Sequence, residues 1–435
     1  MDVNYPPKPF TLPPAAAKAL EQLADQFVAE TLSESDEFIY QSRVVDKVQW
    51  KTLKTKDSVT AFRSRVCAPS SKSRSRIDSE DADALAQSPE MPEFYPITEK
   101  NIQSALSASY LGVSATCPEA HDREGTVYQE PKTMDKSRPK NSPMVFCTGF
   151  SPGTVEDAAL GFLAETEART QLRTLMCTEA QVDRVQILAR IQGPSFEDPF
   201  RFLGVKWMAL SIPGAAKRYL KPRDYLLLES SGMALDSDGE RFCYLLSHSI
   251  VLDQVPEFGC FERQTFSACH IVRPSKGEGE VEIFSRGFKM ATKSLVERLS
   301  MNQYCDVLLA VPLMIEEAYT RKLIWLLRTE ARGVRSLRMA LVPTEPGQAL
   351  EACLSCNDKL NSGIGKLFGY SICVLCRQCA CRKCTVKRFL PREAGNSKKK
   401  IALKFCLKCY LEAKNLSAWQ VGINSLSVTG QELMQ

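Results

Sequence analysis

Histidine is scarce in this sequence, long apolar runs are missing, and no leader is visible. Each scarcity excludes something. Only three histidines occur in 435 residues, His121, His248 and His270, and none stands among the cysteines near the C-terminus. A metal held by those cysteines would be held by sulfur alone. The longest charge-free apolar stretch, VLLAVPLMI at 307–315, falls far short of the ~20 helical residues that cross a bilayer. The opening MDVNYPPKPF lacks a basic start followed by an apolar core. A soluble, intracellular, cytoplasmic protein is therefore expected. Catalytic constellations are also wanting. Asp198 and Asp224 are acids of the kind found near turns, and His248 and His270 fall inside strand patterns, where a histidine is usually structural. GEGE at 277–280 reads as a turn, because no phosphate-binding lysine or helix start follows it. No enzymatic activity is expected.

Cysteine and positive charge, by contrast, are concentrated. Of seventeen cysteines, eight are scattered singly (Cys67, Cys117, Cys147, Cys177, Cys243, Cys260, Cys269, Cys305) and read as reduced, mostly buried small hydrophobes. The other nine lie near the C-terminus. Residues 353–414 hold ten lysines and four arginines against three acids, a net +11, so a chain of net +5 carries −6 elsewhere. A small basic module on a mildly acidic body suits an anionic partner, membrane phosphate or nucleic acid, although charge runs also serve as plain solvated faces.

Along the chain, PPAAAKALEQLADQFVAETLSESDEF begins with prolines and spaces Ala17, Leu20, Leu23, Ala24, Phe27 and Val28 as one helix face. VQWKTLKTKDSVTAFRSRV alternates in two runs around TKDS, as a hairpin does. Residues 68–143 turn to Ser, Lys, Arg, Pro and Asp with sparse apolar positions, the composition of a disordered insertion. Strand patterns follow in PMVFCTGFSPG, VQILARIQG, FRFLGVKWMALSI, RDYLLLESSGMALDSDGERFCYLLSHSIVL, RQTFSACHIVRP and VEIFSRGFKM, with DSDGE and SKGEGE as hairpin turns. A helical region from Ser294 to about Arg332 should break near Pro312. The fold class is α+β: a curved antiparallel sheet with one long C-terminal helix across its concave side, enclosing an apolar tunnel of the kind that takes small ligands. This order of elements resembles the START-like helix-grip domains over residues 14–332. EDPFRFLGVKW and KPRDYLLLES also look like the START-like region of START/FYVE proteins of microbial eukaryotes. The resemblance implies an apolar or lipid ligand in the cavity.

The C-terminal cysteines form four Cys-x-x-Cys pairs: Cys353 and Cys356, Cys373 and Cys376, Cys381 and Cys384, Cys406 and Cys409. Four such knuckles point to zinc, because each turns two thiolates toward one tetrahedral ion, and eight thiolates make two ions. Cys379 is left over, as a buried filler or an alternate ligand. The four-residue gap between Cys376 and Cys381, and the ending KFCLKCY with Lys404 before the last pair, resemble a FYVE-type finger. That resemblance implies a cross-brace, with Cys353, Cys356, Cys381 and Cys384 on one zinc and Cys373, Cys376, Cys406 and Cys409 on the other. The expected layout is then a helix-grip domain at 14–332, a linker at 333–348, the finger at 349–420 and a tail at 421–435.

The finger departs from its type where lipid is read. The positions that carry basic residues and histidines in binders of phosphatidylinositol 3-phosphate read GYSI at 369–372 here, Val374 replaces an arginine, and no tryptophan-aspartate motif precedes Cys353. Gly, Ser and Ile cannot supply charged donors to a phosphate, so recognition of that lipid is expected to be weakened or lost. Lys366, Leu367 and Phe368 of GIGKLF form either an apolar tip that dips into lipid or part of the finger's own core. Arg382, Lys383, Lys387, Arg388 and Lys404 remain for attraction to an anionic membrane, each worth ~1 kcal/mol. The leading expectation is a noncatalytic lipid-binding or adaptor protein, peripheral on endosomal membranes. The alternatives are a RING-like ubiquitin-ligase or protein-interaction finger, against which the absent histidine argues, and nucleic-acid binding, against which the few aromatics among the basic residues argue.

Overall fold

Pro14 opens a 27-residue helix, α1 (Pro14–Tyr40), since a proline in the first turn has no amide hydrogen to satisfy and already holds a helical φ. The computed structural model describes residues 6–65, 132–139, 142–177, 181–211, 221–290, 296–329, 352–360, 369–391 and 400–432. The insertion expected at 68–143 lies outside them except for 132–139 and 142–143, and the linker expected at 333–348 lies wholly outside. Contacts divide the chain into two units. The first is Met1–Val155, Phe162–Pro194 and Phe200–Pro312, and the second is Glu156–Gly161, Ser195–Pro199 and Leu313–Gln435.

The first unit is built on one large sheet. Its strands are β1 (Trp50–Lys56), β2 (Val59–Ser64), β3 (Met144–Pro152), β4 (Gln181–Gln192), β5 (Phe202–Ser211), β6 (Arg223–Leu235), β7 (Arg241–Ser249), β8 (Glu262–Arg263), β9 (Phe266–Pro274) and β10 (Glu280–Lys289). Their order is β1-β2-β3-β10-β9-β7-β6-β5-β4, with the short β8 beside β6. Every pair along the path is antiparallel, and β8 alone runs parallel to its neighbour. The turns fall where the sequence places them. Asp57 takes φ 52 between β1 and β2, Gly239 takes φ 79 between β6 and β7, and Gly279 takes φ 68 between β9 and β10. At Asp57 a short polar side chain tolerates the left-handed backbone that a hairpin turn demands.

Helix α1 lies on β9, β7, β6 and β10. Its Leu20, Ala24 and Phe27 join Val205, Trp207, Leu226, Leu228, Leu246 and Ile271 in a buried cluster, so this face of the sheet is filled by side chains. The period of two puts alternate residues on the other face, and there β5 and β6 bury Phe202, Lys206, Leu227 and Glu229. α2 (Thr133–Lys136) packs on α1 through the insertion's end, and α4 (Glu167–Cys177) lies along β4 after α3 (Val155–Phe162). α5 (Val296–Leu308) reaches β10, β1 and β3. Tyr304 on α5 donates to the Ser267 carbonyl at 2.6 Å. Only a glycine at 287 permits that approach, because a Cβ there would meet the Ser267 carbonyl oxygen at 2.0 Å and the Tyr304 hydroxyl at 2.4 Å.

The helical region expected from Ser294 does break, between α5 and α6 (Val311–Thr329), with Pro312 in the first turn of α6 where its missing N–H costs nothing. From Leu313 onward α6 belongs to the second unit. There follow β11 (Tyr370–Ile372), β12 (Cys379–Cys381), one 3-10 turn (Arg382–Cys384), β13 (Thr385–Pro391), β14 (Lys400–Cys406), α7 (Leu407–Lys414) and α8 (Ala418–Glu432). Leu323 and Leu327 of α6 share a buried cluster with Leu360, Leu390, Leu403, Phe405, Tyr410 and Ala413. The α+β class, a large antiparallel sheet with helices and a small cysteine finger, is thus the architecture observed. Among the described residues no helix is long and apolar enough to cross a membrane.

Candidate metal centres

Eight thiols in the second unit fall into two groups. Cys353, Cys356, Cys381 and Cys384 form one, and Cys373, Cys376, Cys406 and Cys409 the other, the sulfurs of each lying within 4.8 Å of one another. Each group could hold one metal ion. The pairs interleave along the chain, first with third and second with fourth.

The backbone explains how each knuckle points its sulfurs. The first two are alike. The Cys353 amide donates to the Asp358 carbonyl at 2.9 Å and the Cys373 amide to the Gln378 carbonyl at 2.9 Å. Within each turn, Asn357 N–H reaches the Cys353 carbonyl at 2.8 Å, and Arg377 N–H the Cys373 carbonyl at 3.0 Å. Asn357 and Arg377 take φ 59 and 60, a left-handed conformation that is uncommon outside glycine and reverses the chain just after the second cysteine. The third knuckle is the 3-10 turn. The fourth starts α7, with Cys406 at the N-cap, its sulfur accepting from Cys409 N–H.

The donor set fits a thiolate-binding ion. Cys356 and Cys381 sulfurs are 3.7 Å apart, and Cys376 and Cys406 sulfurs 3.8 Å. Four thiolates at ~2.3 Å around a tetrahedral zinc stand ~3.8 Å apart, whereas a disulfide needs ~2.05 Å. Cys381 N–H donates to Cys353 Sγ at 3.3 Å. Burial raises the Cys353 thiol, but N–H groups from Cys381, Cys356 and Ser355 outweigh it and bring it down to about 6. Cys379 joins neither group. It is 3% exposed within the finger's core, and burial pushes its thiol up. Of the two readings that the sequence left open, it has the surroundings of a filler.

The expected anion contacts are distributed unevenly. Lys366, Leu367 and Phe368 lie outside the described residues. Arg382 and Lys383 are exposed on the 3-10 turn. Lys387 and Lys404 are exposed and directly opposite each other across β13 and β14. Next to them Phe389 is 56% exposed, with Lys387 Nζ 5.2 Å from its ring centroid. Arg388 is differently placed. It pairs with Glu316 at 2.6 Å, bonds the Tyr410 hydroxyl and lies 4.8 Å over the Tyr410 ring. Lys414 sits over the rings of Tyr319 and Tyr410, and Lys322 donates to the Lys414 carbonyl at 2.9 Å while pairing with Asp157. This stack of cations and rings fastens α6 to α7 and β13. Tyr370 and Ile372, from the GYSI stretch, are exposed on β11.

One group in the first unit was not legible in the sequence. Lys206, fully buried, donates to the Ala164 carbonyl at 2.6 Å, the Thr170 hydroxyl at 3.0 Å and Glu229 at 2.6 Å. Arg173 bonds the other Glu229 oxygen and the Phe162 carbonyl. Burial lowers the Lys206 ammonium to about 8 against the pull of Glu229, while Arg173 and Lys206 outweigh burial at Glu229 and hold its carboxyl down. Every donor of Lys206 is used, which marks a structural ion-pair network. His270 is 2.8 Å from the Ser285 hydroxyl, but both are buried, and burial takes His248 and His270 alike down to about 3. A neutral, enclosed imidazole is a packing group, as its strand position implied.

No family model matches the chain, and no curated protein matches it. Solved structures do. The likeness is to START domains. Thirty-eight chains match. The crystal structure of human STARD10 is 10% identical with a TM-score of 0.35, covering 68% of this chain and 82% of its own. Human StAR-related lipid transfer protein 5 is 12% identical, also at 0.35, covering 68% and 98%. The lipid transfer and protein localization domain of human StarD13 is 8% identical at 0.33, covering 66% and 95%. At these identities and TM-scores the likeness transfers no residue, ligand or activity to this chain.

Proposed function

We propose that this protein is a noncatalytic adaptor in which two zinc ions shape a finger that attaches to an anionic membrane surface, while the START-like unit holds an apolar, lipid-type ligand. The observation that carries the reading is the pair of interleaved four-cysteine groups. The finger's own apolar cluster is small, and structural zinc contributes ~10–16 kcal/mol to folding such modules. Metal binding therefore accounts for how so polar a segment holds β13 and β14 in place.

Those strands present Lys387 and Lys404 as a directly opposed pair of like charges beside the exposed Phe389. Like charges opposite each other destabilise a sheet on their own, and an anionic partner removes the cost. Lipid phosphate is such a partner, and an exposed phenyl ring beside lysines suits a headgroup boundary. GYSI offers no charged donor, so the finger reads charge and does not select phosphatidylinositol 3-phosphate.

Vesicle flotation of the whole zinc-loaded chain tests this. Neutral vesicles, vesicles with phosphatidylserine and vesicles with phosphatidylinositol 3-phosphate are compared, with and without a chelator. The reading predicts flotation with both anionic preparations and its loss on chelation. Flotation confined to phosphatidylinositol 3-phosphate, or none with either anionic vesicle, contradicts it.

A further inference from the structure

A cavity of about 520 Å³ in the first unit lies at the C-terminal end of α1, bordered by β1, β3 and β10, far in sequence from the metal centres. Its wall is aromatic. Trp50 and Phe146 meet edge to face at 4.5 Å between ring centroids. Phe38 stands 5.8 Å from both Phe146 and Phe284. These four rings line the space together.

Its charge is negative. Arg286 and Arg138 also line the cavity, but Arg286 faces Glu34 at 3.2 Å and Asp135 at 3.6 Å, and Arg138 faces Asp135 at 3.6 Å. Glu37 and Asp46 at the rim have no ion-pair partner among the described residues. Glu37 accepts only from Gln41 at 3.0 Å and Asp46 from the Val48 amide at 2.7 Å. The carboxyl end of α1 adds to this, since its last turn holds no basic residue and a helix C-terminus carries about half a negative charge. After it, Ser42 and Arg43 adopt φ 59 and 60, a consecutive left-handed pair. That conformation turns the chain sharply toward β1, and ion pairing of Arg43 with Glu282 at 2.6 Å holds it.

We infer that this cavity binds a small organic cation, a methylated ammonium ion. Aromatic rings attract such an ion through their negative faces, and it is weakly hydrated enough to leave water for them. Unpaired rim carboxylates and the helix terminus add a field of the same sign. An anionic amphiphile would meet two carboxylates with no ion-pair partner among the described residues, and two guanidiniums that already face Glu34 and Asp135, with only Arg286 Nη1 and Arg138 Nε buried without a hydrogen bond. The inference is independent of the metal centres and stands or falls separately from the adaptor reading.

Calorimetric titration of the whole chain with choline and with tetramethylammonium tests it, against 3,3-dimethylbutan-1-ol, which has choline's shape without its charge, and decanoate. Saturable binding of both cations is expected, with the neutral alcohol weaker by about tenfold. The double change Glu37→Gln and Asp46→Asn, at exposed positions that leave the circular dichroism spectrum unaltered, should weaken choline binding by about tenfold and leave the alcohol unaffected. Equal binding of choline and the alcohol, preference for decanoate, or no binding of either cation overturns it.

Discussion

The scattered and the clustered cysteines show how the two units are held. In the first unit Cys147, Cys177, Cys243, Cys269 and Cys305 are buried. Burial pushes the thiols of Cys177 and Cys269 up to about 12 and that of Cys305 to about 11. They are apolar filler in a unit stabilised by a sheet covered by side chains. In the second unit the same residue type is gathered into two groups of four sulfurs, and at Cys353 three backbone N–H groups outweigh burial and favour the thiolate. A large sheet can bury enough apolar surface to stand alone. A segment rich in lysine has less apolar surface to bury, and on the proposed reading metal bonds add to the cluster formed by Leu360, Leu390, Leu403 and Phe405.

The strongest way to break the contrast is to remove the metal. A chelator should unfold the finger, with a loss on the order of 10 kcal/mol, while the cooperative melting of the sheet persists. Limited proteolysis followed by mass spectrometry reads the two regions separately, and coincident loss of both would erase the distinction. Two substitutions act on the opposite side. Phe27→Ala should cost the sheet unit ~3–5 kcal/mol by opening a cavity, without changing zinc content. Glu229→Gln should cost a similar ~3–5 kcal/mol, because it strands Lys206 and Arg173 with unpaired buried charge. Urea unfolding measures both.

These targets were unequally visible in the sequence. Helix α1, the hairpin turns at Asp57, Gly239 and Gly279, and the break before Pro312 could be read because local spacing and turn chemistry dictate them. The spacing of the cysteines likewise marked the knuckles. Lys206, Glu229 and Arg173 could not be read, because they come from β5, β6 and α4 and meet only through strand register and a helix packed above it. Nor could the pairing of Arg388 with Glu316 and Tyr410. The same holds for Leu323 and Leu327, which sit in an ordinary helical pattern, yet their burial partners are the finger's residues.

A pH series sharpens the comparison further. His248 and His270, held neutral by burial down to about 3, lie in the sheet unit. Their folded values are below the unfolded one near 6.5, so the unfolded state takes up protons first as pH falls. Stability is unaffected above pH ~6.5 and drops by ~1.4 kcal/mol per pH unit for each histidine below it. Thermal melts from pH 7.5 to 4.5 should show that slope, and His248→Phe should roughly halve it. A smaller effect is expected at the hairpin. Lys387→Ala and Lys404→Ala should each reduce binding to anionic vesicles by ~1 kcal/mol and leave folding unchanged.

The central claim is that two ions are held by two specified sets of four thiolates, and native mass spectrometry of the zinc-loaded whole chain tests it most directly. The account predicts two zinc ions per chain, one after Cys356→Ala or Cys406→Ala, and still two after Cys379→Ala. One ion or none in the unaltered chain, or loss of an ion with Cys379→Ala, would contradict it.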